Sequence, residues 1–147
     1  MTELNEILEN GQMTDKLYIL FARAYLGLGH FSKALKSIKI ASRLSPRNPD
    51  IYIEWSRIFR SMGQPDNSMN VLALGIDKVA AKELGPLLIE MARTALHQGH
   101  YQYARELLVR ARQVVSVKDL AQYLITKSYL KEDDLASAAK ELHSYMQ

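Results

Sequence analysis

The chain predicts an all-α fold, an array of stacked antiparallel helix pairs, and three observations predict it. Gly29, Gly63 and Gly99 stand 34 and 36 residues apart, each closing one apolar helical stretch and opening the next. The same residue slots recur around these glycines. Tyr18, Phe21, Ala22 and Tyr25 precede Gly29, and Phe31, Ala34, Ile38 and Ala41 follow it. Nothing in the chain alternates apolar and polar residues long enough to argue for a sheet. A self-similar period of this length means helix-turn-helix units, none of which buries its apolar face alone.

Each element has its own signals. Thr2 to Asn10 reads as a short amphipathic helix, with Leu4, Ile7 and Leu8 on one face and Gly11 as its stop. Asp15 to Leu28 is the first long helix and Phe31 to Leu44 its partner. The partner is stopped by Pro46 and Pro49 in Ser-Pro-Arg-Asn-Pro, because proline has no N–H for a helix interior. Asp50 to Met62 and Asp66 to Val79 form the second pair around Gly63-Gln64-Pro65. Pro86 to Gln98 and Tyr101 to Val115 form the third, and Pro86 suits a first turn, where a missing N–H costs nothing. Lys118 to Lys131 and Asp134 to Met146 form the fourth, turned by Glu132-Asp133. Two extra residues near Val79 to Gly85 predict a lengthened helix or loop, and with it a local change of curvature.

The domain organisation follows. An acidic capping helix is expected over residues 1–14 and a repeat domain over 15–147, with repeats at about 15–48, 49–82, 85–118 and 119–147. Hydrophobic residues at 48% and charged ones at 24% suit a globular chain with a continuous core. The absence of cysteine excludes disulfides, thiolate metal sites and cysteine nucleophiles. The first residues carry Glu3, Glu6 and Glu9 and no long apolar run, unlike a signal peptide or membrane span. With Met1 as the natural start, a cytoplasmic protein without membrane insertion is expected.

The net charge of +3 hides an asymmetry. All 19 Lys and Arg follow Asp15, so residues 16–147 carry +7 against −4 for residues 1–15. A basic body points to acidic partners.

Tyr18-x2-Phe21-Ala22-x2-Tyr25, then Ala34-x3-Ile38, Ala41 and Pro46, resembles a tetratricopeptide repeat with tyrosine in place of the usual first tryptophan. A weaker copy holds Tyr52, Trp55, Ser56, Phe59, Gly63, Ser68, Leu72 and Gly75. A third holds Leu88, Met91, Ala92, Ala95, Gly99, Tyr101, Ala104, Leu108 and Ala111. The degenerate fourth holds Gln122, Ile125, Thr126, Tyr129, Leu135, Ala138 and Leu142. The resemblance covers residues 15–147. It implies a right-handed superhelical α-solenoid in which the first helix of each pair lines a concave groove.

On those first helices a second stripe runs beside the core stripe. Ile19, Arg23 and Leu26 share one side at spacings of four and three. Carried to the same slots, Arg23 becomes Arg57, Arg93 and Lys127, and Ile19 becomes Ile53, Ile89 and Tyr123. Arg60, His97 and Lys131 add positive character further along. The expectation is an apolar ladder beside a cationic one, holding a protein or peptide segment with hydrophobic anchors and acidic groups. The competing expectation is that each arginine pairs with an acid such as Glu54 or Glu90 and only solvates the surface.

One mechanism of the resembled family is testable residue by residue. The carboxylate clamp for heat-shock chaperone tails wants Lys and Asn, then Asn, then Lys and Arg. Those slots hold Ile19, Arg23, Glu54, Pro86 and Glu90 here, and both glutamates would repel such a ligand.

Catalytic chemistry is not expected. His97-x2-His100 lacks a carboxylate partner, and His100 occupies the same turn slot as His30, so no metal site is expected. Asp133-Asp134 reads as a helix-start pair and Trp55 as core packing. Gly27 and Gly29 lack the strand context of a phosphate loop. No nucleophile meets a base, so neither an enzyme nor a cofactor is expected. The leading expectation is a protein-interaction module or assembly scaffold. Its rivals are a secretion or assembly chaperone of the resembled type and an RNA-binding helical repeat. RNA is disfavoured because Tyr123 is the single aromatic on the ladder. Homodimerisation is expected through the N-terminal helix or through the last helix, which is expected to expose Leu135, Ala138, Leu142, Tyr145 and Met146 with no polar capping helix after it.

Overall fold

Eight α-helices make up the described part of the chain: α1 (Asp15–Gly27), α2 (Phe31–Leu44), α3 (Pro49–Ser61), α4 (Pro65–Lys78), α5 (Leu84–His97), α6 (Tyr101–Ala111), α7 (Lys118–Lys131) and α8 (Leu135–Met146). They come from a computed structural model that describes residues 14–147, and no strand occurs among these residues. The helix expected over Thr2 to Asn10 lies outside the described residues. Among the described residues no helix is long and apolar enough to cross a membrane.

The turns within the pairs share one construction. Gly29, Gly63 and Gly99 adopt φ of 76°, 72° and 80°, the left-handed region where a Cβ is penalised. In each turn the glycine N–H donates three residues back and the next N–H donates five back. His30 N to Tyr25 O is 2.8 Å, Gln64 N to Phe59 O is 2.9 Å, and His100 N to Ala95 O is 2.9 Å. This is the Schellman stop, which satisfies carbonyls that the helix end leaves free. The fourth turn repeats it with Asp133 at φ 58°, and Asp134 N reaches Tyr129 O at 2.9 Å.

The chain divides into two compact units, one ending at Val71 and the other Leu72–Gln147. In the first, α1 packs against both α2 and α3. Its core is Ile19 and Ala22 from α1, Ala34, Ile38 and Ala41 from α2, and Ile51 and Ile58 from α3. Tyr18, Tyr25 and Trp55 pack partly buried against that cluster. The small residues at Ala22, Ala34 and Ala41 let backbones approach, and the isoleucines fill the gaps. Asn48 ties two helix starts together. Its Oδ1 accepts from Asp50 N at 3.0 Å, capping α3, while its Nδ2 donates to Asp15 Oδ2 at 2.9 Å. That bond holds the Asp15 carboxyl below its ordinary value.

In the second unit α5 packs on α6, α6 on α7 and α7 on α8. Helix α5 is buried on nearly every side, from Gly85 through Leu96, apart from Pro86 and Arg93. It is the central helix of this unit, as its nearly continuous apolar run requires. Leu88, Ala92 and Ala95 of α5, Ala104, Leu108 and Ala111 of α6, and Ala121 and Ile125 of α7 are all almost wholly buried.

Two sequence expectations change. The extra residues between the second and third repeats form a short 3-10 turn over Ala81–Glu83, so α5 starts at Leu84. Helix α6 stops at Ala111 and not at Val115. Gln113 N and Val114 N bond three residues back, to Arg110 and Ala111, and a second 3-10 turn follows over Val115–Val117. The physical reason lies at Gly85. A Cβ there would meet Val117 Cγ2 at 2.6 Å and Val114 Cγ1 at 3.1 Å. The two valines leave the helix to cover the start of α5.

Candidate partner-binding faces of the first helices

In the first unit the cationic slot is built around one buried carboxylate. Glu54, on α3, is 3% exposed. Its Oε1 accepts from Arg23 Nε of α1 at 2.8 Å and from Arg57 Nη1 of its own helix at 2.9 Å. The arginines are themselves about half exposed. A carboxylate removed from water needs such charge-assisted partners. The pairing alternative therefore describes Arg23 and Arg57 in part: they share one carboxylate, which leaves the group a net positive charge, and both side chains reach the surface. Arg60, one turn on, is half-buried.

The second unit differs. Arg93 and His97 of α5 and Tyr123, Lys127 and Lys131 of α7 line one cleft of about 220 Å³, with Leu96 and Leu124 completing it. Glu90 forms an ion pair with Arg93 at 3.8 Å, longer than a hydrogen bond. Lys127 Nζ stands 5.8 Å from the centre of the Tyr123 ring, a cation–π contact. Tyr123 is 60% exposed.

The apolar ladder needs correction. Ile19 and Ile89 are 4% and 3% exposed and are core residues, unavailable to a ligand. Ile53 is half-buried, and only Tyr123 is openly presented. Helix α1 packs against its own partner α2 and also against α3, the next first helix, and α5 is buried on nearly every side. The buried face of each of these two helices is therefore wider than one stripe, and it absorbs the slot beside the core residues. The cationic slot lies far enough round to stay outside: Arg23, Arg57, Arg93 and Lys127 are all exposed.

Sequence reasoning missed Leu96 and Leu124 as the walls of the cleft. The signal was in the period. The slot three residues before each repeated cation reads Leu20, Glu54, Glu90 and Leu124, so the fourth repeat lacks the acid that the second and third carry. Elsewhere the acidic pair at Asp133-Asp134 divides its work. Asp133 makes the left-handed turn. Asp134 caps α8 by accepting from Ser137 N at 3.1 Å, and the Ser137 hydroxyl together with that N–H holds its carboxyl below the ordinary value. Among the described residues no group of three or more His, Asp or Glu is placed to hold a metal ion.

No family model matches the sequence, and no curated protein matches it. Solved structures do match. TTC0263, a thermophilic TPR protein of Thermus thermophilus, aligns with a TM-score of 0.69 at 18% identity, over 97% of this chain and 78% of that one. The Yersinia enterocolitica type III secretion chaperone SycD, solved in complex with a peptide of the translocator YopD, aligns at 0.64 and 18% identity, over 80% of this chain and 93% of that one. MamA from Desulfovibrio magneticus aligns at 0.66 and 14% identity, over 90% and 73%. Four helix pairs joined by one kind of turn, and superposable on solved repeat proteins over most of their length, give this chain the tetratricopeptide-repeat fold in about four repeats.

Proposed function

We propose that the chain is a protein-interaction module or assembly scaffold that takes an acidic and apolar partner segment on its first helices. The observation that carries this reading is the repeated cation at Arg23, Arg57, Arg93 and Lys127, four copies of one slot and all exposed. A packed core has no use for an outward cation in every repeat, whereas a surface that recognises carboxylates does. The candidate surface comprises Arg23, Ile53, Arg57 and Arg60 in the first unit and Arg93, His97, Tyr123, Lys127 and Lys131 in the second. No catalytic role is proposed. Reversing Arg57 and Arg93 to glutamate should weaken capture of the native partner at least tenfold in pull-downs, with the helical circular-dichroism spectrum retained. Capture unchanged by the reversal contradicts the reading. Capture abolished by nuclease transfers it to RNA.

The chaperone reading has one observation in its favour: SycD, matched over 93% of its length, was solved holding a peptide of a translocator. It predicts that the captured partner is insoluble or rapidly degraded when produced without this chain.

A second copy of the chain is the partner we propose for α8. Ala138, expected on the exposed face, is 4% exposed and packs into the core, whereas Leu135, Ala139, Leu142 and Met146 follow one another on one face and are exposed. In one antiparallel register with a second α8, Leu135 meets Met146 and Ala139 meets Leu142, while Glu141 stays paired with Arg112 of its own chain. Apolar side chains thus face apolar ones, each pair repeated across the axis, as a self-complementary two-fold interface requires. Sedimentation should show a concentration-dependent dimer that Leu142→Glu converts to monomer. A wild type monomeric at 100-micromolar order (roughly 5 kcal/mol of association) rules this interface out.

A further inference from the structure

We infer that the acid-receiving part of the partner surface is the cleft between α5 and α7, and that it fits an extended peptide with one apolar and two acidic residues at alternating positions. This rests on the interaction-module reading and narrows it to one site and one ligand chemistry.

The argument begins with the slot that precedes each cation. In the first unit Glu54 occupies it and takes the hydrogen bonds of both Arg23 and Arg57. An incoming carboxylate there would lie beside a carboxylate already in place, and the like charges would repel. In the fourth repeat the slot holds Leu124, which is 5% exposed and forms part of the cleft wall. The cleft is lined by Arg93, Leu96, His97, Tyr123, Leu124, Lys127 and Lys131, with no acid. Among the described residues His97, Lys127 and Lys131 enter no ion pair. Lys127, Lys131 and the His97 imidazole therefore share one open cleft with Arg93, whose own charge is partly answered by Glu90 at 3.8 Å, and an entering carboxylate meets cations on both walls.

The spacing sets the ligand. Arg93 and His97 are four apart on α5, and Tyr123, Lys127 and Lys131 are spaced by four on α7. One step along either row is roughly 6 Å of helix rise. Alternate side chains of an extended peptide, which point to the same side, are roughly 6.6 Å apart. Two acids at i and i+2 thus reach the Arg93–Lys127 level and the His97–Lys131 level. The alternating residue on the other side of the first acid comes level with Tyr123, whose exposed ring offers an apolar platform. The residues between point away and are unrestricted.

The test is fluorescence anisotropy of the full chain with a labelled peptide of sequence Gly-Ser-Leu-Ser-Glu-Ser-Glu-Ser-Gly. It should bind, and the same peptide with glutamine for both glutamates should lose at least tenfold. So should the chain carrying Lys127→Glu and Lys131→Glu. Lys36→Glu, an exposed charge reversal on α2, should leave affinity unchanged. Moving the two acids to adjacent positions should cost affinity, because only one then enters the cleft. Equal binding of the glutamate and glutamine peptides overturns the inference, as does undiminished binding by the Lys127/Lys131 reversal. So does a single-stranded oligonucleotide that competes at equal concentration, because phosphates would then be the ligand. If the native partner is lost with Arg23→Glu and Arg57→Glu but kept with the Lys127/Lys131 reversal, this site is wrong while the interaction-module reading stands. If it survives both reversals, both fail.

Discussion

At the residue scale, four equivalent turns show how much one side chain decides. Three are closed by glycine at positive φ and the fourth by Asp133 at 58°. An aspartate tolerates that conformation better than most residues, yet its Cβ still carries a penalty that glycine avoids. Asp133→Gly should therefore stabilise the second unit by about 0.5–1 kcal/mol, after the added freedom of the unfolded chain is deducted. A thermal melt should show it as a raised midpoint; a lowered one would mean that the Asp133 carboxylate contributes more than its backbone costs. Glu54 presents the opposite case. It is a residue whose type suggests surface, but its burial beneath two guanidiniums makes it the organising group of its slot.

At the scale of elements, the start of α5 depends on the absence of a side chain. Gly85 is helical, where alanine would ordinarily gain about 1 kcal/mol. Here a Cβ would come within 2.6 Å of Val117 Cγ2, and a branched side chain in a tight turn has little room to yield. Gly85→Ala should cost about 1–3 kcal/mol by overpacking. Val117→Ala in the same chain should restore part of the loss, and a double-mutant cycle in urea measures the coupling. No coupling would show that the turn over Val115–Val117 moves aside freely.

At the scale of the whole molecule, charge governs what the chain attracts. Residues 16–147 carry +7. Partner capture through a few solvent-exposed carboxylate contacts should weaken several-fold as ionic strength rises and the screening length falls from about 10 Å at 0.1 M to about 3 Å at 1 M. Binding to a nucleic acid would fall far more steeply, in proportion to the phosphates neutralised. A salt titration of the captured complex separates the two. Affinity indifferent to salt would contradict the ionic basis of the surface.

The order and nature of the helices were legible because both are local. The boundaries of α2 and α7 follow from periodicity and breakers alone, and the glycine period locates the turns, since only a left-handed residue closes them. The cationic slot at Arg23, Arg57, Arg93 and Lys127 was equally readable, because the repeat copies it. What remained hidden depends on neighbours distant in sequence. Ile19 and Ile89 carry the same signature as exposed anchors until a second helix covers them. Val114 and Val115 look helical until Gly85 draws the following turn over itself. The sequence by itself thus determined the repeat, the turns and the charge of the surface. Only the tertiary structure decided which cations share the Glu54 carboxylate and which line an open cleft, because burial and pairing depend on where distant helices meet.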